Sequence, residues 1–181
     1  LIRKNVVAKS GRAIEAAGDT NVLLLDKTGT ITLGNRMASE FIAAPECSLE
    51  ELAHACALAS MADETAEGRS ILALAKEQFG FNPEGVSLEK AQFVAFSANT
   101  RMSGIDLPNL RIRKGAIDAI KSDISAVQGQ FPNELEAQIM KICQNGGTPL
   151  AVSKNNRVLG VIHLKDIVKK GIKRSEEHTS E

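Results

Sequence analysis

The sequence predicts an α/β protein of two parts, an open parallel sheet interrupted by an inserted α+β region built on an antiparallel sheet. Two observations carry this. An apolar run, Val22-Leu23-Leu24-Leu25, leads directly into Asp26-Lys27-Thr28-Gly29-Thr30-Ile31-Thr32. Such a run, ending in an acid, reads as a buried strand whose carboxyl end opens onto a ligand crevice. Past the turn Gly34-Asn35, the pattern changes to amphipathic helices and short strands joined by polar turns, as in α+β folds.

The elements follow in order. A lead-in helix, a strand at 22–26 and the loop after it make the first part, residues 1–33. A strand is expected at 37–43. Ser48 caps the next helix, with Glu51 placed to complete a capping box and Leu49, Leu52, Ala53, Cys56 and Ala59 as its apolar face. A second helix spans about 70–79 and stops at Gly80. Strands are expected at 92–98, 101–105 and 110–114, the last two joined by a turn at 106–109. Helices at 116–127 and 134–144 come next, the second capped by Asn133 and closed by Gly146-Gly147. Strands at 149–153 and 157–164 meet across Asn155-Asn156. The division expected is 1–33 and 157–173 for the first domain, 34–156 for the inserted one, and 174–181 as a polar, non-native tail.

Composition bounds the function. A chain of 181 residues with 43% hydrophobic content holds one or two globular domains. A formal net charge of zero gives no electrostatic footprint for nucleic acid or an anionic membrane. Cys47, Cys56 and Cys143 form no Cys-x-x-Cys pair, which suits a reduced compartment. His54, His163 and His178 lack metal-ligand spacing. No apolar run approaches the ~20 residues of a membrane-spanning helix.

The chemistry expected at 26–32 is phosphoryl transfer. Asp26 is the candidate covalent nucleophile. Thr28 and Thr30 can donate hydroxyl hydrogen bonds to phosphoryl oxygens, Lys27 adds positive charge, and Gly29 permits close backbone approach. Such transfer is mostly positioning and electrostatics, normally with magnesium. Read alone, Lys27–Thr30 is equally well a polar turn closing a strand.

Asp-Lys-Thr-Gly-Thr-Ile-Thr at 26–32 resembles the phosphorylation motif of the P-type ATPases, cation pumps that form an aspartyl-phosphate. Soluble phosphatases of the haloacid-dehalogenase type look similar but usually carry a second Asp two residues on, as general acid/base. Here that position is Thr28, which favours a persistent phosphoenzyme. Residues 10–19, 62–71, 96–104 and 158–168 resemble the catalytic B subunit of bacterial Kdp-type potassium-transporting ATPases, and the likeness runs over roughly residues 3–173. It implies part of a haloacid-dehalogenase-like, Rossmann-type phosphorylation domain with an inserted nucleotide-binding domain. ATP and Mg2+ are the implied cofactors, the magnesium held by Asp26 and Thr28 with acids from outside this chain.

The resemblance also implies site residues. Phe96 stacks on adenine, Lys114 and Gly115 form a nucleotide-site Lys-Gly pair, and Ser103, Asp63 and Glu67 occupy further contact positions, Glu67 as an acceptor for the adenine amino group. Asp166 supports the hinge and phosphate site where the chain re-enters the first domain. On pattern alone Phe96 is a core strand residue on the face opposite Phe93, Lys114 a solvated edge lysine, Asp63 and Glu67 an acidic helix surface, and Asp166 a helix N-cap before Ile167-Val168. Arg101 reads as a loop tie, and Met61 and Met102 as packing residues. The chain opens on Leu1, and the likeness implies membrane helices upstream and far downstream. It further implies other pump subunits as partners and a cytoplasm-facing place on a bacterial inner membrane. The expected function is the ATP-binding, aspartyl-phosphate-forming part of a potassium pump, inactive by itself. The alternatives are a soluble phosphatase or phosphotransferase and a non-catalytic nucleotide-binding module.

Overall fold

Six strands form one antiparallel sheet in the order β1-β6-β5-β4-β3-β2. The computed structural model describes residues 7–22, 24 and 26–169, with only the backbone of 27 and 28. The expected tail at 174–181, the end of the expected return segment at 170–173, and Leu23 and Leu25 of the expected strand lie outside the described residues. The elements are α1 (Gly11–Gly18), β1 (Thr32–Ala43), α2 (Leu49–Ser60), α3 (Ala66–Phe79), β2 (Gln92–Val94), β3 (Met102–Leu107), β4 (Leu110–Ala116), α4 (Ile117–Ser125), α5 (Glu134–Gln144), β5 (Thr148–Lys154) and β6 (Arg157–Val168).

Helices cover both faces. Beneath α2 and α3 lies a core of Phe41, Leu52, Cys56, Ile71, Ile105, Ile112, Leu159, Ile162 and Leu164. Beneath α4 and α5 lies a second, with Ile120, Ile124, Leu135, Ile142, Val158 and Val161. Strand β6 feeds both because of a bulge. Val152 pairs with Gly160 but Ser153 with Val158, so Leu159 is the extra residue and the alternation slips. Leu159 and Val161 therefore serve opposite cores. The β5–β6 turn follows the expectation, with Asn155 and Asn156 at φ of 48° and 66°, the mirror-image turn that suits a twisted hairpin.

Several local expectations change. Val22 is 73% and Leu24 91% exposed, and neither they nor Asp26 belong to a strand. A parallel strand needs neighbours, and every described strand pairs antiparallel with another partner. Ser48 accepts from Glu51 N at 3.0 Å, but the Glu51 carboxylate turns to Lys154 and Arg157 instead of closing the box. Leu49 is exposed, and α2 buries Ala55 and Ala57 instead. Helix α3 begins earlier than expected, capped by Thr65, and ends at Gly80 in the left-handed region. Asn133 has helical backbone angles, and its side chain makes no cap hydrogen bond. Residues from Arg157 to Val168, expected to return to the first domain, form the second strand of the sheet.

Two predictions come from this architecture. A Cβ at Gly104 would lie 2.0 Å from the Ile112 carbonyl oxygen, so Gly104→Ala must push β3 off β4. Its denaturation midpoint should fall by an amount worth about 1–3 kcal/mol. The second concerns acid. The Arg113 and Arg111 guanidinium groups hold the carboxyls of Asp106 and Asp123 below the usual range through hydrogen bonds. A depressed carboxyl contributes stability above its unfolded value, near 4, that is lost as pH falls through the folded value. Urea midpoints should therefore drop below about pH 4, and Asp123→Asn should show a shallower drop.

Candidate functional site

Strands β3 and β4 place Ser103 directly across from Lys114. Helix α2 ends above them at Ser60, and the corner before α3 brings down Asp63, Glu64 and Thr65. Between this corner and β2–β3 lies a cleft of about 230 Å³, bounded by Ala59, Asp63, Thr65, Phe93, Phe96 and Ser103 among others. Phe96 is 66% exposed, an unusual cost for a large aromatic with nothing over it. The expected opposition of Phe93 and Phe96 does not hold, because β2 stops at Val94 and both rings border the same cleft.

The corner is tightly wired. Lys114 Nζ donates to Asp63 Oδ2 at 2.7 Å and to Ser60 Oγ at 2.9 Å. Thr65 donates to Asp63 Oδ1 from its amide at 3.1 Å and from its hydroxyl at 2.6 Å, while that hydroxyl accepts from Gly68 N to cap α3. Burial pushes the Asp63 carboxyl up, but hydrogen bonds from Lys114 and Thr65 with the Lys114 charge outweigh it and hold it below the usual range. Burial pushes Glu67 up, with Asp63 adding to the rise and Lys114 and Arg36 opposing it.

Lys114 is thus no solvated edge residue; its side chain is 2% exposed. It does not border the cleft, although Asp63 does. Gly115 has a reason within the fold, since a Cβ there would lie 2.4 Å from the Arg101 carbonyl oxygen. Arg101 precedes β3 at φ 51° and pairs with Asp118 on the opposite face, the loop tie expected. Met102 packs on the α4 side and Met61 against the α2 core.

The 26–32 segment lies elsewhere. Asp26 and Thr30 are exposed, and Lys27–Ile31 form one wide helical turn. None of these residues borders the cleft. The β1–β6 ribbon joins the two regions: Thr32 pairs with Val168, and Lys169 Nζ donates to Gly29 O at 2.6 Å. Asp166 is not a helix cap. It sits in β6 opposite Arg36, with Oδ1 buried and unpartnered among the described residues. Among the described residues no cluster of three or more His, Cys, Asp or Glu could hold a metal. The donors present therefore do not make a magnesium site by themselves. Sequence reasoning missed Ser60 and Phe93. A lone serine ending an alanine-rich helix, and an aromatic three residues before Phe96, were the available signals.

No family model matches the chain. It is 56% identical over 173 residues to the potassium-transporting ATPase ATP-binding subunit of Clostridium perfringens and 58% identical over 173 residues to that of Listeria welshimeri. Each alignment covers 96% of this chain, which spans 25% of the relatives' length. Among solved structures, a zinc-transporting PIB-type ATPase in a phosphoenzyme-like state superposes with a TM-score of 0.61 at 19% identity, over 84% of this chain and 22% of that one. The catalytic domain of the CPx-ATPase CopB-B gives 0.59 at 17%, over 99% and 57%. These likenesses fix the fold as that of P-type ATPase catalytic domains. Together with more than half of its residues identical along nearly its full length, they show that the chain belongs to the potassium-transporting ATPase ATP-binding subunits, of which it is a segment.

Proposed function

We propose that this chain is the ATP-binding part of a P-type potassium pump and carries its phosphorylated aspartate, Asp26. The observation that carries the reading is Phe96, two-thirds uncovered at the mouth of a cleft walled by Asp63, Thr65 and Ser103. A base stacked on its ring would cover apolar surface that now faces water. The carboxylate and hydroxyls around it suit the amino and hydroxyl groups of a nucleoside, with Glu67 and Ser103 as further contacts and Lys114 behind them. In the longer protein, the β1–β6 ribbon would carry the nucleotide toward Asp26, with Lys27, Thr28 and Thr30 around the transferred phosphoryl. Asp166 on the ribbon would help hold this hinge. Magnesium would require acids from outside this chain, as would the membrane segments and the pump's other subunits. We divide the protein at the ribbon, with the 26–32 loop in the phosphorylation domain.

For the chain in isolation, binding without turnover is the favoured activity. Asp26 stands exposed off any strand, with no second acid gathered beside it among the described residues.

Calorimetric titration of the chain with ATP should give saturable binding. Phe96→Ala should lose about 1–3 kcal/mol, the worth of a stacked base, while keeping its circular dichroism. A folded chain that ignores ATP would end this reading. In the longer protein, radiolabel from γ-labelled ATP should appear as an acid-stable, hydroxylamine-sensitive acyl phosphate and vanish in Asp26→Asn. Label that survives this substitution would move the nucleophile elsewhere.

A further inference from the structure

Lys114 is the residue whose placement departs furthest from its expected role. A lysine that meets a ligand should present its ammonium to the cleft, yet this one lies behind the wall with 2% of its side chain exposed. Two of its three N–H groups are committed to Asp63 and Ser60. Ser60 is oriented for that purpose. Its hydroxyl donates to the Cys56 carbonyl at 2.8 Å, which leaves its lone pairs toward Nζ.

Asp63 stands between the lysine and the cleft. A carboxylate offers about four acceptor positions, and here Lys114, the Thr65 amide and the Thr65 hydroxyl fill three. Its orientation is fixed from below, since a Cβ at Gly68 would lie 2.4 Å from its Cγ. One acceptor position therefore remains, on a residue that borders the cleft. Glu64 borders the same cleft, so the wall repels phosphate and suits an N–H or O–H donor at the nucleoside end.

We propose that Asp63 is the polar group that meets the nucleoside, and that Lys114 and Ser60 are positioning residues acting on the ligand only through Asp63. This rests on the nucleotide-binding reading and deepens it. Lys114 keeps the carboxylate ionised and aimed, and Ser60 keeps the ammonium in place. The charged groups around Asp63 are Lys114 from β4, Glu64 in its own corner and Glu67 from α3, the last also sensing Arg36 of β1. Without Lys114 only acids remain in direct range of Asp63. Its carboxylate then takes up a proton in the weakly acidic range and ceases to be an acceptor.

The test is ATP binding by the 181-residue chain, measured by calorimetry at about pH 7.5 and about pH 5. The forms compared are the unsubstituted chain, Ser60→Ala, Ser60→Thr, Lys114→Met, Asp63→Asn and the Lys114→Met/Asp63→Asn pair. Each variant's affinity is taken as a ratio to the unsubstituted chain at the same pH, which cancels the titration of Glu67 and of ATP. Lys114→Met and Asp63→Asn should each weaken binding roughly tenfold, and the double variant should be no weaker than Asp63→Asn alone, the non-additivity of residues that act as one. The deficit of Lys114→Met should widen at the lower pH, and that of Asp63→Asn should not. Ser60→Ala should show a smaller deficit with the same trend, restored by Ser60→Thr.

Losses that multiply in the double variant, or a pH-independent deficit in Lys114→Met, would overturn the proposal and give Lys114 a direct contact. If Lys114→Met does not fold, the pH trend of Ser60→Ala decides: a widening deficit supports the proposal and a flat one overturns it. A folded, unsubstituted chain that does not bind ATP removes the functional reading itself. Binding that Phe96→Ala weakens, with multiplying losses at Lys114 and Asp63, removes this inference alone.

Discussion

The pairing of β1 with β6 is the constraint on which the rest of the structure depends. The two strands run antiparallel from Ala43↔Gly160 near the centre of the molecule to Thr32↔Val168 at its tip. At the inner end β6 also pairs with β5, so the ribbon is continuous with the sheet that carries the cleft. At the outer end it holds the 26–32 loop through Lys169, whose amide donates to Ile31 O and whose ammonium donates to Gly29 O. Two irregularities shape it. Ser39 is an extra residue between the Ala38 and Glu40 pairs and donates to the His163 carbonyl. Near the tip, β1 advances four residues while β6 advances two, with Gly34 at φ 73° in the excess. Such bulges re-aim a ribbon without ending it.

The cleft depends on that sheet in a specific way. Hairpin β3–β4 supplies Ser103 and Lys114 from one face of adjacent strands, and Gly104 allows those strands to approach as closely as they do. Helix α2 packs on the same face through a column of small residues, Ala53, Cys56, Ala57 and Ser60, all fully buried. Small side chains let the helix sit low enough for Ser60 and Asp63 to reach the Lys114 ammonium. A larger residue in that column would lift the corner and open the ion pair to water, where its attraction weakens severalfold.

Much of this fold could be read from residue order. The cap at Ser48, the stop at Gly80 and the Asn155-Asn156 turn each rest on a local rule that tertiary contacts do not override. Errors arose where a distant partner competed. Glu51 had a local bond available in the capping box, but β5 and β6 present Lys154 and Arg157 to it. Asp166 looked like a helix cap because Ile167-Val168 follow it, yet β1 was there to pair. For the site, the residues implied by family likeness gather at one corner, except Asp166 and the 26–32 segment. Their division of labour was not legible, because whether a lysine faces a cleft or stands behind a carboxylate depends on the depth of helix packing.

The 22–26 segment makes the same argument from the other side. Its apolar run is a strand in pattern, and the acid and hydroxyls after it keep the order that a nucleophile loop requires. Yet Val22 and Leu24 lie exposed, because pattern specifies which side chains prefer burial and cannot supply the surface that buries them. A parallel strand is held on both edges and both faces by segments distant in sequence, whereas an antiparallel hairpin brings its own partner across a short turn. The inserted sheet is made of such local pairs and folds around its own two cores. The nucleophile segment depends on neighbours that no described element provides. Asp26 can become a competent nucleophile only where a sheet fixes its backbone, so the chain separates the ability to hold a nucleotide from the ability to accept its phosphoryl group.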